Sequence, residues 1–237
     1  AEWQAVAEYP APGPSTRPEP QCMPPERPVR QVRAASMKQI TEPDGERPYM
    51  YDFGENLTGW CRLQLRNAAP GTRIRLEFAE KINPDGTLFR TPVGNEVNGT
   101  VQVDYYTAKG GAQETWEPVF TFHGFQHTAL YVESGTLPEA PSNKTLTAVV
   151  VHTDLPETAS FDCSDPQLVR LHEAAGRTLL AGMHGLPMDC PVRERCGWLG
   201  DGHVIAEALL TRYDAASFLH KYARDLWTVD RCVKDEL

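Results

Sequence analysis

The hydrophobic pattern of this chain changes once, near Asp162, and that change constrains the fold more than any other feature. Before it, apolar and polar residues alternate in short runs, at residues 62–66, 73–78, 101–105 and 120–122. Such alternation is typical of strands with one buried face. Turn signals rich in Pro, Gly and Asp separate the runs, at residues 69–71, 84–86 and 109–111. Short strands joined by such turns predict an antiparallel β-sandwich over residues 49–155.

After Asp162 the apolar spacing becomes helical. Ser164-Asp-Pro-Gln167 has the form of a capping box with Pro in the first turn. The first helix then shows one apolar face and is expected to end near His184-Gly185; this face consists of Leu168, Leu171, Ala175, Leu179 and Met183. Two further helices are predicted, one over Gly202–Arg212 and one after Asp214. The chain is therefore expected to be multidomain, with a β domain followed by helices from residue 160 onward.

Residues 1–48 contain ten prolines, several of them in an alternating Pro-x-Pro rhythm. Proline resists regular helix and sheet and favours an extended backbone. We therefore interpret residues 1–48 as an extended linker from an upstream domain, with a short strand near Val29–Val32. The first four residues, Ala1-Glu-Trp-Gln4, show neither a signal peptide pattern nor an initiator Met, which suggests processing or excision from a longer chain.

Composition excludes several classes of partner. The net charge of -9 disfavours nucleic acid and anionic membranes, because both attract basic surfaces. No apolar run approaches the roughly 20 residues that a membrane span needs. The six cysteines are scattered without any C-x-x-C pair, so neither a structural metal nor a cofactor is expected. A neutral ligand such as a sugar fits this balance.

One stretch, residues 188–203, carries most of the candidate chemistry. It has no hydrophobic period, so it is predicted to be a loop, where scaffolds tend to place functional residues. Its polar and aromatic members are Asp189, Arg193, Glu194, Arg195, Trp198 and Asp201. Carboxylates and guanidinium groups bind hydroxyls, while an indole face covers the apolar side of a sugar ring. A suitably placed carboxylic acid can protonate a glycosidic oxygen. The stretch therefore indicates a sugar site.

This stretch resembles the signature of the bacterial α-L-rhamnosidases of glycoside hydrolase family 78. The usual pattern there is Asp-Cys-Pro-Gln-Arg-Asp-Glu-Arg-Leu-Gly-Trp-Thr-Gly-Asp, and residues 189–201 here are Asp-Cys-Pro-Val-Arg-Glu-Arg-Cys-Gly-Trp-Leu-Gly-Asp. One acidic residue before Glu194 is absent, Val192 replaces Gln and Cys196 replaces Leu. Counted back from Trp198, Glu194 falls on the position of the family's general acid. Residues 51–60 and 120–125 also resemble the jelly-roll domain that precedes the catalytic barrel in that family.

The resemblance implies a fold, an activity and a set of site residues. It implies a jelly-roll β-sandwich followed by the first helices of an (α/α)6 barrel, truncated at Leu237. The implied reaction is release of terminal α-L-rhamnose with inversion, from a rhamnose-containing glycoside or polysaccharide. Glu194 would be the general acid, and the rhamnose ring would be held by Asp189, Arg193, Trp198 and Asp201. The catalytic base would be a Glu beyond Leu237, so the fragment alone is expected to be inactive. The resemblance does not indicate which rhamnoside is cleaved or what the oligomeric state is.

Other interpretations of the same residues stay open. Asp189 and Asp201 each fit a helix cap, Glu194 and Arg195 fit a solvated ion pair, and Trp198 fits a core residue. His184 and His203 flank the stretch, but capping or surface roles suit them better than ligand contact. A rival of another class is a carbohydrate-binding β-sandwich without catalysis, with Trp60, Tyr106 or Trp116 as platforms. A family member that has lost its activity is a third hypothesis.

Overall fold

In the computed structural model, which describes residue 7 and residues 19–90 and 102–235, antiparallel β-structure precedes three helices. The elements are β1 (Glu26–Arg33), β2 (Ser36–Gln39), β3 (Tyr49–Arg66), β4 (Arg73–Ala79), β5 (Val103–Thr107), β6 (Gln113–Trp116), β7 (His123–Ser134), β8 (Leu146–Thr153), α1 (Pro166–Ala181), α2 (Leu199–Arg212) and α3 (Ala216–Asp235). All the strand pairs of the described residues are antiparallel. The predicted change from antiparallel strands to helices is confirmed.

The long strand β3 organises the sheet. Its first half pairs with β2 and β7, and its second half pairs with β8 and β6. The main order of strands is β1-β8-β3-β7-β4-β5. At Gly59 the strand faces both neighbours, because Gly59 is opposite His123 of β7 and Val150 of β8. The largest cluster of buried side chains draws on β3, β4, β7 and β8, so the sheet curls around this cluster. A smaller cluster contains Met50, Ala79, Leu88, Ala129 and Tyr131.

The core follows the period-two pattern of the sequence. Successive side chains of a strand point to opposite faces, so every second residue enters the core. The fully buried side chains of this cluster include Tyr51, Leu63, Ile74, Leu76, Phe125, Leu130 and Leu146. Burial of such side chains is worth about 1.5–3 kcal/mol each before the entropy of ordering is subtracted. Burial of this apolar face is the main stabilisation of the sheet.

Several predicted strand positions need correction. The proline-rich segment contributes two strands, and β1 is longer than the short strand expected near Val29–Val32 because Pro28 lies at a register shift, where no ladder bond is needed. Strand β6 follows the turn at residues 109–111 and was not predicted. Phe120 and Phe122 were expected in a strand but lie in the loop before β7; Phe120 has a φ of 62° and is fully exposed. Val101 lies outside the described residues.

The helix boundaries differ from prediction by a few residues. Asp165, rather than Ser164, caps α1, because its carboxylate accepts the N–H of Gln167 at 2.8 Å. The helix ends at Ala181 rather than near His184, and Gly182 donates its N–H to the carbonyls of the last turn. Helix α2 begins three residues before the predicted Gly202. The order and number of the predicted helices agree with the structure of the described residues.

The helices pack on a small second core and leave much apolar surface exposed. The second cluster contains Leu155, Met183, Leu209, Tyr213, Ala215 and Phe218. Helix α1 approaches α2 at Gly176, where a Cβ would lie 2.1 Å from the guanidinium of Arg212. Leu168 and Leu171, on the predicted apolar face of α1, are about half exposed or more, as are Val204 and Trp227. Over residues 7, 19–90 and 102–235, none of the helices has the length and hydropathy required to span a membrane.

Candidate functional site

Asp189 closes the loop that precedes α2. Its carboxylate accepts the N–H of Cys196 at 2.9 Å, and its own N–H donates to the carbonyl of Cys196 at 3.1 Å. Burial alone would raise the pKa of Asp189, but hydrogen bonds from the Cys190 thiol and from the N–H of Cys196 lower it below its ordinary value. Asp189 therefore caps a loop rather than a helix, and the contact joins the two ends of residues 189–196.

Two thiols hold the main chain of Glu194 inside this loop. The N–H of Glu194 donates to Sγ of Cys190 at 3.2 Å, and Sγ of Cys196 donates to the carbonyl of Glu194 at 3.2 Å. Both cysteines are free. Sulfur hydrogen bonds are weak individually. Here, however, one of them holds the N–H and the other holds the carbonyl of the same residue. The loop therefore constrains the backbone of Glu194 from both directions.

The side chains of Glu194 and Trp198 are brought together. Nε1 of Trp198 donates to Oε2 of Glu194 at 2.7 Å, across the four-residue step noted in the sequence. Glu194 is partly buried, whereas half of the surface of Trp198 is exposed. The hydrogen bond fixes the indole beside the carboxylate while leaving the ring accessible. Trp198 is therefore not a core residue among the described residues.

Arg193 and Asp201 lie on the exposed side of the same region. Asp201 is in the first turn of α2, where a negative charge interacts favourably with the helix dipole. The N-cap of α2 is Trp198, which makes no side-chain capping bond, so Asp201 is not the N-cap. No hydrogen bond or ion pair within the described part of the chain joins Arg193 or Asp201 to Glu194. Both polar groups face solvent and are accessible to a ligand.

Arg195 turns away from Glu194 and forms no ion pair with it. Its φ is 55°, an unusual backbone conformation that directs the side chain toward the sheet. Nε donates to the carbonyl of Pro191 at 2.8 Å, and Nη2 donates to Oε1 of Gln102 at 3.2 Å. The guanidinium carbon lies 4.5 Å from the ring centre of Phe122. Burial lowers the pKa of Arg195. The interpretation as a solvated Glu194–Arg195 pair is therefore wrong.

The loop rests directly on the start of β7. A Cβ on Gly124 would lie 2.6 Å from Val192 and 3.0 Å from Pro191, so only glycine permits this approach. Val192 is buried at the contact. Gln102 and Phe122, which complete it, were not identified from the sequence, because each lies more than 60 residues from the loop. The signal available was the segment Phe120–Phe125, which resembles part of the family's jelly-roll domain.

His184 lies beneath the same contact. Its Nδ1 is 2.7 Å from Oε1 of Glu26, and its ring stacks on Phe122 with centres 3.9 Å apart. His184 is buried and connects the segment that follows α1 with β1 and the loop before β7. His203 is exposed on α2. Neither histidine makes a contact with Glu194 in the described residues. The expected surface role is confirmed for His203, whereas His184, expected to be a surface or capping residue, is instead buried between Glu26 and Phe122.

A group of side chains with the geometry of a metal site lies outside the loop around Glu194. Within residues 7, 19–90 and 102–235, the three side chains whose ligand atoms lie within 4.8 Å of one another are Glu42, Asp44 and Glu46. Glu42 already binds Arg90 and Tyr131, and Glu46 binds Arg75. Glu42 and Glu46 are thus each paired with an arginine. The loop around Glu194 itself offers carboxylates, guanidinium groups and an indole.

The β-structure and the helices match models of two domains found together in one class of glycosidase. Residues 43–152 match the model described as the bacterial alpha-L-rhamnosidase concanavalin-like domain. Residues 156–232 match the bacterial alpha-L-rhamnosidase 6 hairpin glycosidase domain, which includes the loop around Glu194. The class is therefore that of glycoside hydrolases with a β domain before a helical one. Within it, the chain belongs to the bacterial α-L-rhamnosidases, glycoside hydrolase family 78.

Individual relatives agree with this assignment. The chain is 38% identical over 208 residues to an alpha-L-rhamnosidase of Formosa agariphila, covering 84% of the chain and 21% of the relative. The Streptomyces avermitilis alpha-L-rhamnosidase complexed with L-rhamnose superposes with a TM-score of 0.78 at 33% identity, covering 88% of this chain and 19% of that one. The Dictyoglumus thermophilum enzyme gives 0.75 at 33% identity, covering 86% and 22%. The chain spans about a fifth of the length of the curated relatives it matches.

Proposed function

We propose that the protein hydrolyses terminal α-L-rhamnosyl groups from rhamnose-containing glycosides or polysaccharides, with Glu194 as general acid. The observation that carries the proposal is the 2.7 Å hydrogen bond between Trp198 and Glu194 in an accessible loop. This bond places a carboxyl group beside an exposed aromatic ring, which is the pairing a glycosidic oxygen and an adjoining sugar ring require. The loop belongs to the segment that matches the family's glycosidase domain.

The proposed reaction proceeds with inversion at the anomeric carbon. Glu194 donates its proton to the glycosidic oxygen as the bond to the anomeric carbon breaks, and the alcohol leaves. A water molecule attacks the opposite face after a second carboxylate removes its proton. In inverting enzymes the two carboxyl groups are about 6.5–9.5 Å apart, which leaves room for that water. We assign the base to a Glu outside this chain, as the family resemblance implies.

The ring-binding residues are proposed to act in two ways. Arg193 and Asp201 are exposed beside the loop and offer donors and acceptors to the ring hydroxyls. Trp198, held at its N–H by Glu194, offers its face to the apolar side of rhamnose. Asp189, whose carboxylate already accepts the N–H of Cys196, is proposed to accept a ring hydroxyl as well. These assignments give each side chain a contact that its position permits.

The finer architecture is also part of the proposal. We infer that the curled antiparallel sheet is a jelly-roll sandwich over residues 49–155, and that residues 160–237 begin an (α/α)6 barrel. The strands β1 and β2 of residues 1–48 join this sheet at its margins, since β1 pairs with β8 and β2 with β3. The exposed apolar residues of α1, α2 and α3 provide surface for further helices of such a barrel.

The rival hypothesis of a non-catalytic binding module has less support. Tyr106 and Trp116 stack on each other with ring centres 5.2 Å apart and pack against the core. The N–H of Trp60 is bound by Glu117 at 2.8 Å. None of the three side chains combines a free ring face with a neighbouring polar group that is available to a sugar. A family member that has lost its activity would keep all of these contacts, so only an assay separates it from an active enzyme.

The test is an assay of the complete protein on 4-nitrophenyl glycosides. We expect release of nitrophenol from the α-L-rhamnoside and not from the α-D-mannoside, whose ring belongs to the opposite enantiomeric series, because the site is proposed to select the rhamnose ring. Proton NMR of the first product formed should show β-L-rhamnose, as inversion requires. Release of α-L-rhamnose first would contradict inversion, and absence of hydrolysis would contradict the proposed function.

A further inference from the structure

One buried amide links the sheet to the loop around Glu194. Gln102, immediately before β5, is 4% exposed. Its Oε1 accepts the N–H of Gly124 at 2.8 Å and Nη2 of Arg195 at 3.2 Å, while its Nε2 donates to the carbonyl of Gly124 at 2.8 Å. A buried amide is destabilising when it lacks hydrogen-bond partners, so these contacts hold its side chain in place. Gln102 is therefore fixed by β7 and offers a fixed acceptor to the loop.

Arg195 uses that acceptor while it holds the loop itself. Its guanidinium binds the carbonyl of Pro191, the oxygen of Gln102 and the face of Phe122. A guanidinium group suits contacts with several separate groups better than a lysine ammonium does, because its N–H donors are held rigidly in one plane. Because Arg195 directly follows Glu194 in the chain, these contacts also locate the main chain of Glu194.

The loop has a second point of support on the same strand. Pro191 and Val192 pack onto Gly124, whose backbone is the one that Gln102 binds. One short segment of β7 thus receives both the apolar and the polar contacts of the loop. These two sets of contacts fix the position of Glu194 relative to the sheet. Together with Phe122, we call Gln102 and Arg195 the loop clamp.

We propose that Gln102 and Arg195 are positioning residues, through which the sheet sets the location of the loop around Glu194 and hence of its carboxyl group. The proposal rests on the proposed function for its catalytic consequence. Neither side chain has to touch substrate, because both act through the backbone beside Glu194. A misplacement of about 1 Å can lower a rate by about 10²-fold, so loss of either contact reduces proton donation.

The test uses Gln102→Leu, Arg195→Met and the double variant in the complete protein. The matched control is Gln126→Leu on β7, which removes the hydrogen bond from Gln126 to Asp52 of β3, outside the loop clamp. On an alkyl α-L-rhamnoside, we expect kcat of both single variants to fall by about 10–100-fold with little change in KM. On the nitrophenyl rhamnoside the loss should be smaller, because that leaving group needs less protonation. Since the two residues act together, kcat of the double variant should be no lower than kcat of the less active single variant.

Hydrogen exchange of the loop gives a readout that does not depend on activity. The amides of Glu194 and Cys196 should exchange faster in both single variants and at the original rate in Gln126→Leu. Unchanged exchange, equal rate losses on both substrates, or the same losses in the control would overturn the proposal. If the wild-type protein hydrolyses no rhamnoside while loop exchange still rises in the variants, the proposed function fails and the positioning of the loop stands.

Discussion

Replacing Glu194 by Gln is expected to lower kcat/KM on rhamnosides with poor leaving groups by about 10²–10⁴-fold, the usual contribution of general acid catalysis. Glutamine keeps the shape of the side chain, and its oxygen can still accept the N–H of Trp198 that the carboxylate binds at 2.7 Å. The substitution therefore leaves the loop in place and removes only the transferable proton. Kinetics of the complete protein on an alkyl and on a nitrophenyl α-L-rhamnoside measure the effect.

The difference between the two substrates makes this prediction specific. The nitrophenolate leaving group needs less protonation, so the variant should retain far more activity on it than on the alkyl rhamnoside. Glu207→Gln, an exposed change of the same chemistry on α2, serves as control and should leave both rates unaltered. An equal loss on both substrates, or no loss, would show that Glu194 is not the acid.

Substitution of Gly59 by Ala is expected to cost about 2–6 kcal/mol of folding free energy, the sum of backbone strain and overpacking. Gly59 has a φ of 146°, which residues with a side chain rarely adopt. A Cβ at this position would lie 1.9 Å from the carbonyl oxygen of Val149. The clash is with the backbone of β8, which cannot move without breaking its pairing with β3. The measurement is the shift of the chemical unfolding midpoint, together with the soluble yield.

Gly71→Ala is the matched control for Gly59→Ala. Gly71 also has a positive φ, of 81°, but no atom lies within 4 Å of the Cβ it would gain. Only the strain of the left-handed backbone applies there, and it is about 1 kcal/mol or a little more. The Gly59 variant should therefore be clearly less stable than the Gly71 variant. Equal midpoints would contradict the close packing of β3 on β8.

The sheet core and the helix order were predictable from the sequence because local pattern determines them. Alternating residues such as Ile74, Leu76 and Phe78 can bury one face only as a strand. The edge strand β1 was harder to predict, since prolines dominate its surroundings and normally exclude a strand. It exists because Pro28 sits at a register shift on a strand that pairs with β8, where a missing N–H is tolerated.

The site was predictable in part, for the same physical reason. The four-residue step from Glu194 to Trp198 is local, and the structure connects these side chains directly. The contact of Arg195 with Gln102 joins residues 93 positions apart, and no local pattern indicates which distant residue a loop will meet. Phe122 looked like part of a strand because it is apolar and alternates, whereas its burial comes from stacking on His184.

A crystal structure of the complete protein with L-rhamnose bound would show whether Glu194 is placed as the general acid of a rhamnose site. We expect the sugar to lie over Trp198, with its anomeric oxygen within hydrogen-bond reach of the Glu194 carboxyl group, about 2.6–3.2 Å. Asp189, Arg193 and Asp201 should contact the ring hydroxyls. Rhamnose bound away from this loop, or with another carboxyl group at its anomeric oxygen, would contradict the claim.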